Sequence, residues 1–223
     1  MPGRGEDLID QLAWDFSELD EKPIYSGAAP FHFTTEYFTV NEFTEAKKAS
    51  ALVCGEWPFA GGHRRMWGKS FCTRSFSTGA GGSHSFDMLT ADLRCDCLMM
   101  PPFGVDSRVC FCPGDLMANV ICEPCAWHHV GREADAVEAW HDHAWPGWRD
   151  LPVVPGDVRP FGGGFDKNAK KARAWVAAHY PTEWQTLGAP VVTDRAGCGD
   201  RHVSGYSPWG GYDINAAALR VPA

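Results

Sequence analysis

The stretch that decides how this chain folds runs from residue 95 to 143: CDCLMMPPFGVDSRVCFCPGDLMANVICEPCAWHHVGREADAVEAWHDH. It holds six of the nine cysteines and four of the nine histidines. Thiolates and imidazoles are the ligands of tetrahedral zinc, so their crowding points to one or two Zn2+ ions bound at the centre of the fold. Two patterns divide the stretch. The first is a pair of C-x-C motifs, Cys95 with Cys97 and Cys110 with Cys112. On a strand, residues i and i+2 project to one face, so each motif offers two thiols on one side. A loop carrying Pro101, Pro102 and Gly104 could fold the two motifs around one ion, here called site A. The competing readings are buried free cysteines or a redox pair.

The second pattern, site B, is Cys122 and Cys125 followed by His141 and His143, written C-x2-C-x15-H-x-H. C-x2-C is a zinc half-site because its turn presents two thiolates together. The histidines pose a geometric problem. Residues two apart on a helix point about 200° apart, so both can reach one ion only if the helix unwinds near His141. Pro146 favours an early end, since the residue before a proline leaves the α region. Otherwise His128 or His129 would complete the set. A thioredoxin-like redox C-x2-C would need a βαβ setting, and the cysteine spacing of common ferredoxins is absent. Cys54, Cys72 and Cys198 stand apart and read as buried neutral thiols.

Outward from this centre the chain reads as α+β: a small, mostly antiparallel sheet with a few helices around the Cys/His region. FHFTTEYFTV (31–40) is rich in aromatic and β-branched residues and predicts a strand. Residues 63–78 predict one or two more strands, 78–85 a loop, and 86–95 a strand leading into the cysteines. READAVEAWHD (132–142) is the clearest short helix, ended by Pro146 and Gly147. A Pro- and Gly-rich linker or loop follows over 149–165. Asp166 can cap a helix over 167–180, and the last forty residues read as irregular with one short strand. Residues 1–22 carry seven acidic and two basic side chains, with Leu8, Leu12, Phe16 and Leu19 at helical spacing. This predicts an acidic amphipathic helix. The organisation expected is that helix, a zinc-stapled core over 23–155, and a C-terminal helix with an irregular extension over 156–223 packed on it.

The composition narrows the function. A formal charge of -8 argues against a generic nucleic-acid binder. No run of apolar residues is long enough to span a bilayer, and the acidic start does not resemble an export signal. A cytoplasmic setting with reduced thiols follows as the expectation. The absence of H-E-x-x-H, G-x-S-x-G and P-loop motifs leaves no familiar catalytic signature.

Beyond these readings, the chain resembles an uncharacterised family from actinobacteria and their phages. The resemblance runs through GAAPFHFTTEYFTVNEFTEA (27–46), ADLRCDC (91–97), CEPCAW (122–127), HDHAWPGWRDLPVVP (141–155) and RHVSGYSPWGGYD (201–213). It implies a zinc-ribbon-like Cys/His core and a phage or mobile-element setting. It also implies exchange of Cys97 for His and of His141 for Cys, both of which keep a zinc ligand.

Three functions are weighed. The first is a non-enzymatic zinc protein that binds another macromolecule, a protein foremost, and in a phage setting a host-directed regulator. The second is a zinc-dependent hydrolase or nuclease, with Glu123, Asp142 or Glu138 as general base at an open site, to which His63, His84 or His202 could add. The third is a nucleic-acid binder using Lys167, Lys170, Lys171 and Arg173. Candidate docking surfaces are the acidic segment, the Trp140, Trp145 and Trp148 stretch, and that basic run, whose plain alternative is an ordinary solvated face.

Overall fold

The computed structural model describes residues 25–54, 65–69, 76–78, 83–94, 114–158, 165–194 and 202–220. The acidic segment 1–22 and all four cysteines of site A lie outside them. The fold is α+β. Its main sheet is antiparallel, in the order β1 (Gly68–Lys69), β3 (His84–Asp92), β4 (Leu116–Cys122), β5 (Trp127–Gly131), with β2 (Phe76–Thr78) paired to the first residues of β3. Strand alternation gives this sheet two buried faces. Phe86 and Met88 of β3, with Ala118 and Val120 of β4, join one apolar cluster. Leu89, Ala91 and Ile121, the residues between them, join a second.

The second cluster is covered by α1 (Val40–Cys54) through Val40, Phe43 and Ala46, with Trp67 beside them. Here the sequence reading is corrected. The FHFTTEYFTV stretch forms no strand, and a helix begins at Val40. The decisive local signal is a capping box. Thr39 Oγ1 accepts the Glu42 amide hydrogen at 3.2 Å, and Glu42 Oε2 accepts that of Thr39 at 2.8 Å. The aromatic residues before it, Phe33, Tyr37 and Phe38, pack against the cluster as irregular chain.

The first cluster is covered by α2 (Glu133–Ala144), which places Ala136, Val137, Trp140 and Ala144 in it. Glu133 and Asp135 in the first turn suit the positive end of the helix. Trp140 donates its indole N–H to the Ser85 carbonyl at 3.0 Å and so fixes α2 to β3. Trp140, Trp145 and Trp148 are all buried, so they are core and not a docking surface.

The chain after α2 builds a second unit on the same cluster. Helix α3 (Phe165–His179) buries Ala172 and Val176 and leaves Lys170, Lys171 and Arg173 exposed. It starts at Phe165, ahead of Asp166. The C-terminal part is more regular than its sequence suggests. Three short strands, β6 (Val191–Thr193), β7 (His202–Val203) and β8 (Asp213–Asn215), form a mixed sheet in the order β6-β8-β7, and Thr193 donates its hydroxyl hydrogen to the Asp213 carboxylate. Strands of two or three residues carry too little periodicity to be read from sequence.

Tyr180 ties this unit together. Its hydroxyl donates to the Pro152 carbonyl at 2.9 Å and accepts the Val192 amide hydrogen at 3.1 Å. Burial pushes its pKa up to about 12. Tyr180→Phe strands the buried Val192 amide and also loses the bond to the Pro152 carbonyl, and should cost about 1–3 kcal/mol, read as a melting temperature lower by several degrees. A phenol whose folded pKa lies above its unfolded value stabilises the fold below about pH 10. That contribution should fade as pH rises from about 10 to about 12, and ultraviolet titration of the native protein should show Tyr180 ionising late, together with Tyr212, whose burial pushes its pKa up as well.

Candidate metal centre

The main sheet and α2 bring four soft donors together. His84 opens β3 on the face that carries Phe86 and Met88, turned toward α2. Cys122 ends β4 on the same face, opposite Trp127 of β5. The chain then turns through Glu123–Cys125, with Pro124 in the turn and Ala126 in the left-handed region at φ 49. This tight turn returns Cys125 toward Cys122. His143 comes from α2, one turn beyond Trp140, on the helix face that meets the sheet.

The ligand atoms of His84, Cys122, Cys125 and His143 all lie within 4.8 Å of one another. His84 Nδ1 is 3.6 Å from Cys122 Sγ and 3.3 Å from Cys125 Sγ. A zinc tetrahedron with ordinary Zn–S and Zn–N bonds has S···N edges of about 3.6 Å. The fit extends to the orphaned atoms: His143 Nε2 is buried and has no hydrogen-bond partner among the described residues, as a nitrogen reserved for an ion would be.

The surroundings set the ionisation in the same sense. Desolvation, then the neighbouring His84 ring, holds the His143 imidazole below its ordinary pKa, which keeps it neutral. Desolvation, then the Cys122 thiol, pushes the Cys125 thiol up. A divalent cation supplies the charge that would make both sulfurs thiolates. Cys122 is buried and Cys125 is exposed, so the centre sits at the surface end of the sheet.

The structure therefore gathers Cys122, Cys125 and His143 of site B, and replaces His141 by His84. Helix α2 runs through Ala144, past both histidines, and Trp145 leaves the α region only then. Pro146 thus ends the helix too late to unwind it at His141. With the helix intact, His143 faces the sheet and His141 turns into the core. His141 donates its Nδ1 hydrogen to the Val137 carbonyl at 2.7 Å and meets Trp140, Trp148 and Tyr212 edge-on. Burial pushes its pKa down to about 3. His128 and His129 do not complete the set either. His128 Nε2 donates to the Thr35 carbonyl at 2.9 Å, and His129 lies against Trp127. Cys95, Cys97, Cys110 and Cys112 fall outside the described residues. The sequence reading sets His84 in the 78–85 loop, as a candidate addition to an open site from elsewhere; the structure instead places it at the start of β3, two residues before Phe86 on an alternating strand. Only the β3–β4 register, with Asp87 against Ile121, shows that this strand start meets the end of β4.

Comparison with known proteins adds the family. The chain belongs to DUF6349, a family of unknown function. The match covers residues 28–223 and so includes all four donors. Searches of the curated proteins and of the solved structures find no match. No helix among the described residues is long and apolar enough to cross a membrane.

In this DUF6349 chain the carboxylates considered as general bases are engaged elsewhere. Glu123 Oε1 accepts the Val40 amide hydrogen at 2.9 Å and so caps α1 from inside the cysteine turn. Asp142 accepts the Trp148 indole hydrogen at 2.7 Å and pairs with Arg149 at 2.8 Å. Glu138 accepts from His202 Nε2 at 3.0 Å, with Arg149 3.6 Å away. The guanidinium of Arg149 also lies over the Trp148 ring, 4.4 Å from its centre.

Metal titration into the reduced, metal-free protein should separate the histidines. His84→Ala and Cys122→Ser should each remove one bound equivalent, an effect larger than the roughly 10–100-fold loss typical of an outer-shell partner. His141→Gln should lower stability and keep the metal count. A loss of metal in His141→Gln with retention in His84→Ala would reverse the ligand assignment.

Proposed function

We propose that the chain is a non-enzymatic zinc-binding protein, in which the ion is a structural staple and the folded surface binds another macromolecule, a protein foremost. The observation that carries this reading is the set of four protein donors within 4.8 Å. Four ligands fill a zinc tetrahedron and leave no position for water or substrate, whereas catalytic sites commonly keep one open. The two thiols and two imidazoles favour zinc over magnesium or calcium, which take oxygen ligands. The engagement of Glu123, Asp142 and Glu138 weighs in the same direction against a hydrolase.

A protein partner fits the charge of -8 better than bare nucleic acid does. In the phage setting that the sequence resemblance implies, that partner would be a host protein. A cytoplasmic location accords with reduced thiols able to hold metal. A second reading keeps one observation in its favour: Lys170, Lys171 and Arg173 are exposed on α3 and have no ion pair among the described residues. A phosphate backbone would suit that face.

Purified protein should contain zinc, and Cys122→Ser should contain one equivalent less, whatever site A contributes. Ligand removal at a thousandfold excess over Kd forfeits about 4 kcal/mol, so a strong chelator should lower the melting temperature by about 10 °C. Protein free of transition metal, with a melting temperature indifferent to chelator, would refute the staple. For the partner, tagged protein should retain one stoichiometric host protein. Salt-sensitive retention on DNA that Lys170→Ala with Lys171→Ala abolishes would instead select the second reading.

A further inference from the structure

Trp127 stands beside the donors without being one. Its indole and the His143 imidazole are stacked in parallel, with centroids 4.5 Å apart and an interplanar angle of 0°. His129 lies against the same indole at 6.4 Å and 18°. His84 meets His143 edge-on at 4.8 Å. The His143 ring is thus held by a flat aromatic surface and a perpendicular imidazole, while its buried Nε2 lacks any hydrogen-bond partner among the described residues. Metal-ligating histidines usually gain their orientation from a hydrogen bond at the other ring nitrogen. At His143 the orienting contacts seen are ring contacts, the parallel stack on Trp127 and the perpendicular His84.

The two states of His143 interact differently with that surface. A neutral imidazole on an indole gains only ordinary aromatic packing. An imidazole bound to a divalent cation carries positive charge over its ring, and the negative face of an indole attracts it. A contact that is stronger in the loaded state than in the empty one raises metal affinity.

We propose that Trp127 is a positioning residue of the metal centre: it orients the His143 ring and raises metal affinity by preferring the metal-bound imidazole. The proposal rests on the reading of the four donors as a metal site. Trp127 follows Cys125 by two residues and pairs with Cys122 across β4 and β5, so the cysteine turn and the aromatic support are delivered by one hairpin.

The test is a competition titration of full-length protein with Zn2+ against a chromophoric chelator. Trp127→Leu should weaken the Cys122-dependent site about 3- to 30-fold, and Trp127→Phe should recover most of that loss. In a His143→Ala background, itself weaker, Trp127→Leu should have no further effect, because the contact it removes is already gone. Circular dichroism on each variant separates a folding defect from a binding one. With Co2+ in place of Zn2+, the visible absorption band of the bound ion should shift in Trp127→Leu and return in Trp127→Phe, a readout that general loosening of the core would not restore. Equal affinity for wild type and Trp127→Leu would overturn the proposal and leave the metal site intact. So would an equal loss with and without His143. Wild-type protein that binds no metal at all would instead overturn the underlying reading.

Discussion

Two sulfurs and two imidazole nitrogens held within 4.8 Å of one another form the contact on which the rest of the structure depends. Such donors repel when they are ready to bind and are poorly served as neutral groups, with a buried nitrogen left unpaired. A divalent cation resolves both difficulties. Its position is mechanically important because the donors come from the start of β3, the end of β4, the turn after it and the far end of α2. One ion would join the sheet to the helix that covers it.

The second consequence runs to the opposite face of the sheet. Glu123 lies between the two cysteines and caps the first turn of α1 at Val40, while its own amide hydrogen is accepted by the Ser85 hydroxyl at 3.1 Å. The turn that presents the sulfurs therefore also holds the helix over the second apolar cluster. Both layers meet at the four-residue connection 123–126 between β4 and β5, so the short segment from Cys122 to Trp127 serves both.

Helix α2 shows how one element serves two neighbours. Ala136, Trp140 and His143 follow the spacing that faces the main sheet, and His141 turns to the side where Trp148 and Tyr212 meet it edge-on. Histidines two apart on an intact helix cannot share an ion, and the sequence contains that fact in its 3.6-residue period. What it does not contain is where the helix stops. Pro146 reads equally well as an end before His141 or after Ala144. The sequence view of α1 failed for a related reason. Aromatic and β-branched residues before Thr39 suggest a strand, yet the T-x-x-E box that follows starts a helix, and the rings pack as irregular chain over a core that needs their volume and not their backbone pairing.

By itself, the sequence determined the α+β class, most of the strand after Phe86, a helix over 132–142 that in the structure runs on through Ala144, and the Cys122–Cys125 pair, because each is encoded by local spacing and residue type. The tertiary structure alone decided that His84 and not His141 stands with Cys122, Cys125 and His143 in the group that could hold an ion. The two candidates are 59 and 2 residues from His143 in the chain, and sequence proximity favours the wrong one. Strand register brings the distant residue within reach, and helical rotation turns the near one away into the core.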